Sequence, residues 1–425
     1  MTAAPARAAP ARAAAAVNRD RLWQLHMDFA ALGATPKGGV NRQALSAEDI
    51  AARRLMVDWA RARGFTAHTD DFGNLFVRRA GRAPDAPPVV SGSHLDSQPT
   101  GGRFDGAYGV LAACEALAAL DDAGVVTERP VEAVAWVNEE GSRFSPGMMG
   151  SAIHAGLRAM SDTVEIRDPE GIRLGDALAA FLASTPDLPR RPFRAPAAAY
   201  IEAHIEQGPR LEAARRTIGV VGGIQGLRWF EVTLTGRNAH AGTTPRAARH
   251  DAMRAAAEAV AAMAAATDDG EDALRFTVGR FVAQPGSPNT VPGRVDFTID
   301  LRHPDDAVLN ATTTRLREIT AACATARGCT AELRETFTAA PTLFDVNVVD
   351  AVRRHTTALG LDHMDIFSGA GHDAMWMARL CPTAMIFVPC AGGVSHNEAE
   401  SATPDDLAAG TRVLAACLAE LAGAA

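Results

Sequence analysis

A break in the chain's structural rhythm constrains its fold more than any other feature. Residues 46–63, SAEDIAARRLMVDWARAR, open with a capping Ser and acidic early residues. They carry Ile50, Leu55, Met56 and Trp59 at helical spacing. Extended stretches follow at 74–78 (NLFVR) and 88–92 (PVVSG), then a helix from near Gly109 and a buried-looking strand at 131–138 (VEAVAWVN). Such alternation is an α/β signature and predicts a sheet covered on both faces. From about residue 217 the order changes. A strand at 229–236 leads to the helix AARHDAMRAAAEAVAAMAAA, two extended segments (RFTVGRFVAQ, GRVDFTIDLR), a helix over 310–327 and the strand TAELRETF. That β-α-β-β-α-β order is the ferredoxin-like arrangement. After about residue 336 the α/β pattern resumes with a helix near 346–359, a strand at TAMIFVPC and a closing helix at 404–422.

The expected fold class is therefore α/β: a catalytic domain with a mixed central sheet over 18–216 and 334–425, carrying an inserted ferredoxin-like α+β module at 217–333. Residues 1–17, rich in Ala with Arg and Pro interspersed, are expected to form a disordered or helical leader. Arg7, Pro10 and Arg12 interrupt any apolar stretch of the roughly 7–15 residues a secretory signal needs. No window approaches the roughly 20 apolar residues of a membrane span. The six cysteines lack CxxC pairing and are expected to be reduced and mostly buried. These features predict a cytoplasmic protein. A net charge of −8 argues against a nucleic-acid partner, which calls for a concentrated basic face. A small-molecule substrate is the better starting point.

Four segments place metal-ligand residue types just beyond predicted strands, where ligand sites lie in parallel α/β sheets. In SGSHLDSQPTGGRFDGAYGV, His94 offers an imidazole and Asp105 a carboxylate whose two oxygens can serve two ions. Asp96, two residues on, is placed to orient the His94 ring. In WVNEEGSRF, adjacent carboxylates repel unless one meets a cation. Strand alternation then points Glu140 to metal and Glu139 to the reacting water as general base. AAYIEAHIEQGPRLE supplies His204, and VPCAGGVSHNEAE supplies His396. This donor set suits two borderline divalent ions, Zn²⁺ first, with Mn²⁺, Co²⁺ or Ni²⁺ as alternatives. Two ions roughly 3.5–4 Å apart can activate water and polarise a carbonyl.

The motifs GSHLDSQPTGGRFDG, NEEGSRF, IEAHIEQGP, GRNAHAGTTP and SHNEAE resemble those of the M20 metallohydrolases, specifically the hydantoinase/carbamoylase amidase branch, from about residue 20 onward. That branch includes N-carbamoyl-L-amino-acid hydrolases, metal-dependent β-ureidopropionases and allantoate amidohydrolases. The resemblance implies a lid module that also forms a homodimer. It implies that His94, Asp105 and His204 hold one ion and Asp105, Glu140 and His396 the other, with Glu139 as base. His204, where many M20 peptidases are expected to have a carboxylate, moves the reading from peptide to ureido cleavage. By the same resemblance His240 stabilises the developing oxyanion, in its own or the partner subunit's site. Asn289 and Arg302 bind the substrate's carboxylate end, Arg302 through a planar fork suited to bidentate capture. Gln207 and the SGAGHDA loop, with Gly371 and His372, are expected as further contacts, although His372 has an equally good structural reading.

The expected reaction is hydrolysis of N-carbamoyl-L-amino acids or N-carbamoyl-β-alanine to amino acid, CO₂ and ammonia. Its rivals are allantoate amidohydrolase, an M20 aminopeptidase or N-acyl amino acid deacylase, and a non-catalytic binding protein on the same fold. The last requires a missing ligand or base, and none is missing.

Overall fold

Four short runs, Val89–His94, Val131–Trp136, Ala199–Ile205 and Thr383–Val388, are buried at every position. Strands of a parallel sheet covered on both faces need this. In the computed structural model, which describes residues 4–268, 270 and 273–424, these runs lie side by side in parallel. Their spatial order is Val131–Trp136, Val89–His94, Ala199–Ile205, Thr383–Val388. Antiparallel strands flank them: Leu75–Arg79 and Thr66–Thr69 on one side, Ile218–Ile224 on the other, so the sheet is mixed. The parallel direction sends the carboxyl ends of all four central strands to one edge. Register sets His94 beside Trp136 and His204 beside Phe387.

Helices clothe this sheet. Ala47–Ala62 starts where the Ser46 side chain accepts from the Asp49 amide. From it the buried Arg53, paired with Asp49, donates to the carbonyls of Ala135 (3.1 Å) and Trp136 (2.7 Å). The end of the strand that leads to Glu139 is thereby tied down. In the region expected as a disordered or helical leader, Ala4–Ala15 is a helix that buries Ala9, Ala13 and Ala14 and packs against the closing helix Pro404–Leu421. Its small side chains let the two backbones approach closely. All six cysteines are free, and five of them are buried. Among the described residues, no helix is long and apolar enough to cross a membrane.

Two compact units result: residues up to Gly222 together with Phe344 onward, and Gly223–Leu343. The second is a four-stranded antiparallel sheet in the order Thr330–Ala339, Gly226–Thr235, Arg294–His303, Arg275–Gln284. Helices Ala252–Thr267 and Asp306–Ala326 pack on one face, over Phe230, Val232, Leu234, Val295, Phe297 and Ile299. This is the ferredoxin-like order. Its limits fall later than the expected 217–333. Residues 219–221 pair with the central strand Thr383–Val388, and the last long strand continues past a bulge to Ala339. The first helix also starts later than its Ala-rich pattern implies. Asp251 caps it by accepting from the Arg254 amide, and residues 246–248 form a separate 3₁₀ turn.

Candidate metal centre

The carboxyl ends of the four central strands deliver the expected ligands to one place. Among the described residues, three groups of potential ligand atoms form; two of them, His94–Asp105–His204 and Asp105–Glu140–His396, have Asp105 in common. Asp105 Oδ1 faces His204 Nε2 (3.2 Å) and His94 Nε2 (3.7 Å). Its Oδ2 faces His396 Nε2 (3.3 Å), which lies 3.3 Å from Glu140 Oε2. Ligands about 2.0–2.2 Å from a tetrahedral ion lie about 3.3–3.6 Å apart, so both groups fit a divalent ion. The imidazoles are oriented for it. The carbonyls of Asp96 and Ile205 accept from Nδ1 of His94 (2.8 Å) and His204 (2.9 Å), which turns each Nε2 toward Asp105, and His204 Nε2 also accepts from the Gly106 amide (3.2 Å). Gly106 is required beside Asp105: its φ is 64°, and a Cβ there would come within 2.2 Å of the His94 ring.

Electrostatics point the same way. Burial raises the pKa of Glu140 to about 8, with Asp105 adding to the push. Burial also carries Glu139 well above the usual carboxylate range, helped by Asp373, Glu140, Asp96 and Asp105. Against its own burial, His204 is raised to about 9 by Asp105. The hydrogen bond with Asp105 likewise raises His396 to about 9. Asp105 itself, despite burial, is held well below the usual range by His204 and His396. Without metal the cluster recruits protons to balance its carboxylates, and cations can take that role.

Several side chains make contacts other than those expected. The carboxylate of Asp96 does not orient His94, because its nearest oxygen is 3.8 Å from Nδ1 and the backbone carbonyl makes that bond instead. The carboxylate accepts from the amides of Glu139 and Glu140, both at 3.2 Å. This anchor, with Asn138 at φ 56°, turns the chain after its strand has ended. The two glutamates therefore diverge through a turn and not through strand alternation: Glu139 lies 3.4 Å from His94 Nε2, and Glu140 faces His396 and Gln98. Gln207 donates to Asp105 Oδ2 (2.9 Å), so it holds the Asp105 carboxylate. His372 is buried, bonds Ser368 Oγ (2.9 Å) and packs edge-on against His204, while Gly371 is exposed.

Two carboxylates were not anticipated. Glu400 accepts from the amides of Phe104 (2.9 Å) and Asp105 (3.1 Å) and so fixes the loop that presents Asp105. It stands four residues after His396 inside SHNEAE, the one sequence signal for it. Glu202 is within ligand reach of His204 and His372. Its oxygens are taken by Ser93 Oγ (2.6 Å) and the Ala374 amide (2.8 Å), which makes it a support beneath the strand end.

Within the second unit, His240 pairs with Thr290 across a short ribbon, next to Asn289. Its Nδ1 accepts from the amides of Gly242 and Thr243, both at 3.1 Å, so the proton resides on the exposed Nε2 as a donor. Arg249 steadies this loop by donating to the carbonyls of Thr244 and Ala241. The Asn289 side chain accepts from Ser287 Oγ. Arg302 is held by Asp300 through Nε and Nη2, both at 2.9 Å.

A sequence profile described as "Peptidase family M20/M25/M40" matches residues 90–420. An "N-carbamoyl-L-amino-acid amidohydrolase" of Rhizobium meliloti is 42% identical over 401 residues, covering 94% of this chain and 95% of that protein. An "Allantoate amidohydrolase" of Bacillus subtilis is 35% identical, covering 93% of this chain and 95% of that one. A crystal structure described as an amidase of the hydantoinase/carbamoylase family from Burkholderia multivorans superposes with a TM-score of 0.90. It is 47% identical and covers 96% of this chain and 98% of that one.

Proposed function

The chain belongs to peptidase family M20/M25/M40, and from that membership we propose that it is a binuclear-metal amidohydrolase cleaving the ureido C–N bond of N-carbamoyl-L-amino acids or N-carbamoyl-β-alanine. The observation that carries this reading is Asp105, whose two oxygens face separate ligand groups while Glu139 stands alongside. The carbamoyl and allantoate substrates in the relatives' names favour a ureido bond over a peptide bond. His94, Asp105 and His204 would hold one ion, and Asp105, Glu140 and His396 the other. The donor set favours Zn²⁺ and also suits Mn²⁺, Co²⁺ or Ni²⁺. When bound, such a pair supplies Lewis acidity toward a carbonyl oxygen and makes water more acidic.

The protein's own groups move the protons. Glu139 accepts one from the water that attacks the ureido carbonyl. His240 donates its Nε2–H to the oxyanion, and Asn289 and Arg302 hold the substrate carboxylate. Glu139 then returns its proton to the departing amino nitrogen. The carbamate released breaks down to CO₂ and ammonia. A homodimer formed through the inserted module, with that module serving as a lid, belongs to the same proposal; sedimentation at a single-chain mass would refute the dimer. A cytoplasmic location also belongs to it, supported by the free cysteines; disulfides in the native protein would speak against it.

Steady-state assays of the metal-loaded protein on N-carbamoyl-L-amino acids, N-carbamoyl-β-alanine, allantoate and dipeptides test the reading. Carbamoyl substrates are expected to give the highest kcat/KM, and faster dipeptide cleavage would sink the assignment. Allantoate leading the panel would hand it to allantoate amidohydrolase. Arg302→Ala should raise KM roughly ten- to hundredfold, the loss of a charge-assisted pair, with a smaller change in kcat. A KM that does not move removes Arg302 from substrate binding.

A further inference from the structure

The outward face of the inserted sheet is mostly polar, as a solvated strand face should be: Glu231, Thr233, Asp296 and Thr298 alternate with buried apolar neighbours. Two rings break that pattern. Trp229 and Phe337 are 43% and 46% exposed, with centroids 5.2 Å apart. They are direct partners on adjacent strands. On its other side Trp229 is the register partner of Asp300, and its Nε1 donates to Asp300 Oδ2 (2.9 Å). Asp300 also holds Arg302, so one carboxylate locks both the indole and the guanidinium. Arg302 is the diagonal neighbour of Trp229 across the two strands, a separation of about 7–8 Å between backbones that long side chains bridge.

We propose that Trp229 and Phe337 form an aromatic platform for the substrate's side chain, so that preferred substrates are carbamoyl amino acids with a large apolar, above all aromatic, side chain. The inference rests on the ureido reading and on Arg302 as the carboxylate anchor. With the carboxylate at Arg302, an aromatic side chain on the α-carbon spans to the two rings. It then covers apolar surface and gains ring–ring contact, each worth only a modest free energy but both absent for a glycine or β-alanine derivative. The apolar rings adjoining Arg302 complement the side chain of such a molecule in polarity.

The test is the ratio of kcat/KM for N-carbamoyl-L-phenylalanine to that for N-carbamoylglycine. The wild-type enzyme is expected to favour the phenylalanine derivative by at least about tenfold, and Phe337→Ala to cut that preference about tenfold. Phe337→Leu, which keeps bulk but not the ring, should fall between and decides the matter if the alanine variant fails to fold. A wild-type ratio near one, or a ratio unmoved by both substitutions, overturns the platform while leaving ureido hydrolysis intact. Failure of the wild type on both substrates overturns the platform, and failure on N-carbamoyl-β-alanine and allantoate as well overturns the ureido reading with it.

Discussion

Glu139→Gln is expected to lower kcat on carbamoyl substrates by at least about 10³-fold while both metal ions stay bound. The amide keeps the volume and one acceptor oxygen of the carboxylate but cannot take up a proton, and general-base catalysis contributes on the order of 10²–10⁴-fold. In the proposed reaction Glu139 serves twice, receiving a proton from water and returning it to the leaving nitrogen, so its loss is expected at the upper end of that range. The metal should remain because Glu139 is in neither ligand group. Its main chain is also held independently, by Asp96 accepting from its amide. Kinetics paired with metal analysis checks both halves. Substantial residual turnover would remove Glu139 as the base, and loss of an ion would make it a ligand.

Asp105→Ala should have the broader effect, since no other side chain belongs to both groups. Removing it takes an oxygen from each site at once, and metal content is expected to fall from two ions toward none, with activity below detection. Unfolding is not the expected cause. Glu400 grips the backbone amides at 104 and 105, which the substitution leaves in place. The clearest readout is thermal. A ligand that binds only the folded state raises the wild-type Tm, by about 2.7 kcal/mol of stabilisation at a hundred times its Kd. The variant should lose that response to added Zn²⁺. A variant that kept two ions, or still gained Tm with metal, would contradict Asp105 as the shared ligand.

The candidate ligands were legible because each stands at or just past the end of an apolar strand run. Parallel strands must end on the same edge of the sheet, so His94, Glu140, His204 and His396 could be placed together before any distance was known. The inserted module was legible for a related reason: the change from strand–helix alternation to β-α-β-β-α-β is written in local periodicity. Its exact limits were not, because the pairing of residues 219–221 with Thr383–Val388 is a long-range fact.

Sequence by itself determined the residue types, their order and the strand ends that carry them, all properties of neighbouring residues and backbone geometry. Tertiary structure alone decided which polar atom meets which. Asp96 proved to anchor the amides of Glu139 and Glu140, Gln207 to hold Asp105, and Glu400 to brace the Asp105 loop from 295 residues away. A buried carboxylate takes whatever donor the fold brings within about 3 Å, and no local pattern encodes that proximity. The same holds for Trp229 and Phe337, whose meeting beside Arg302 depends on the register of strands far apart in the chain.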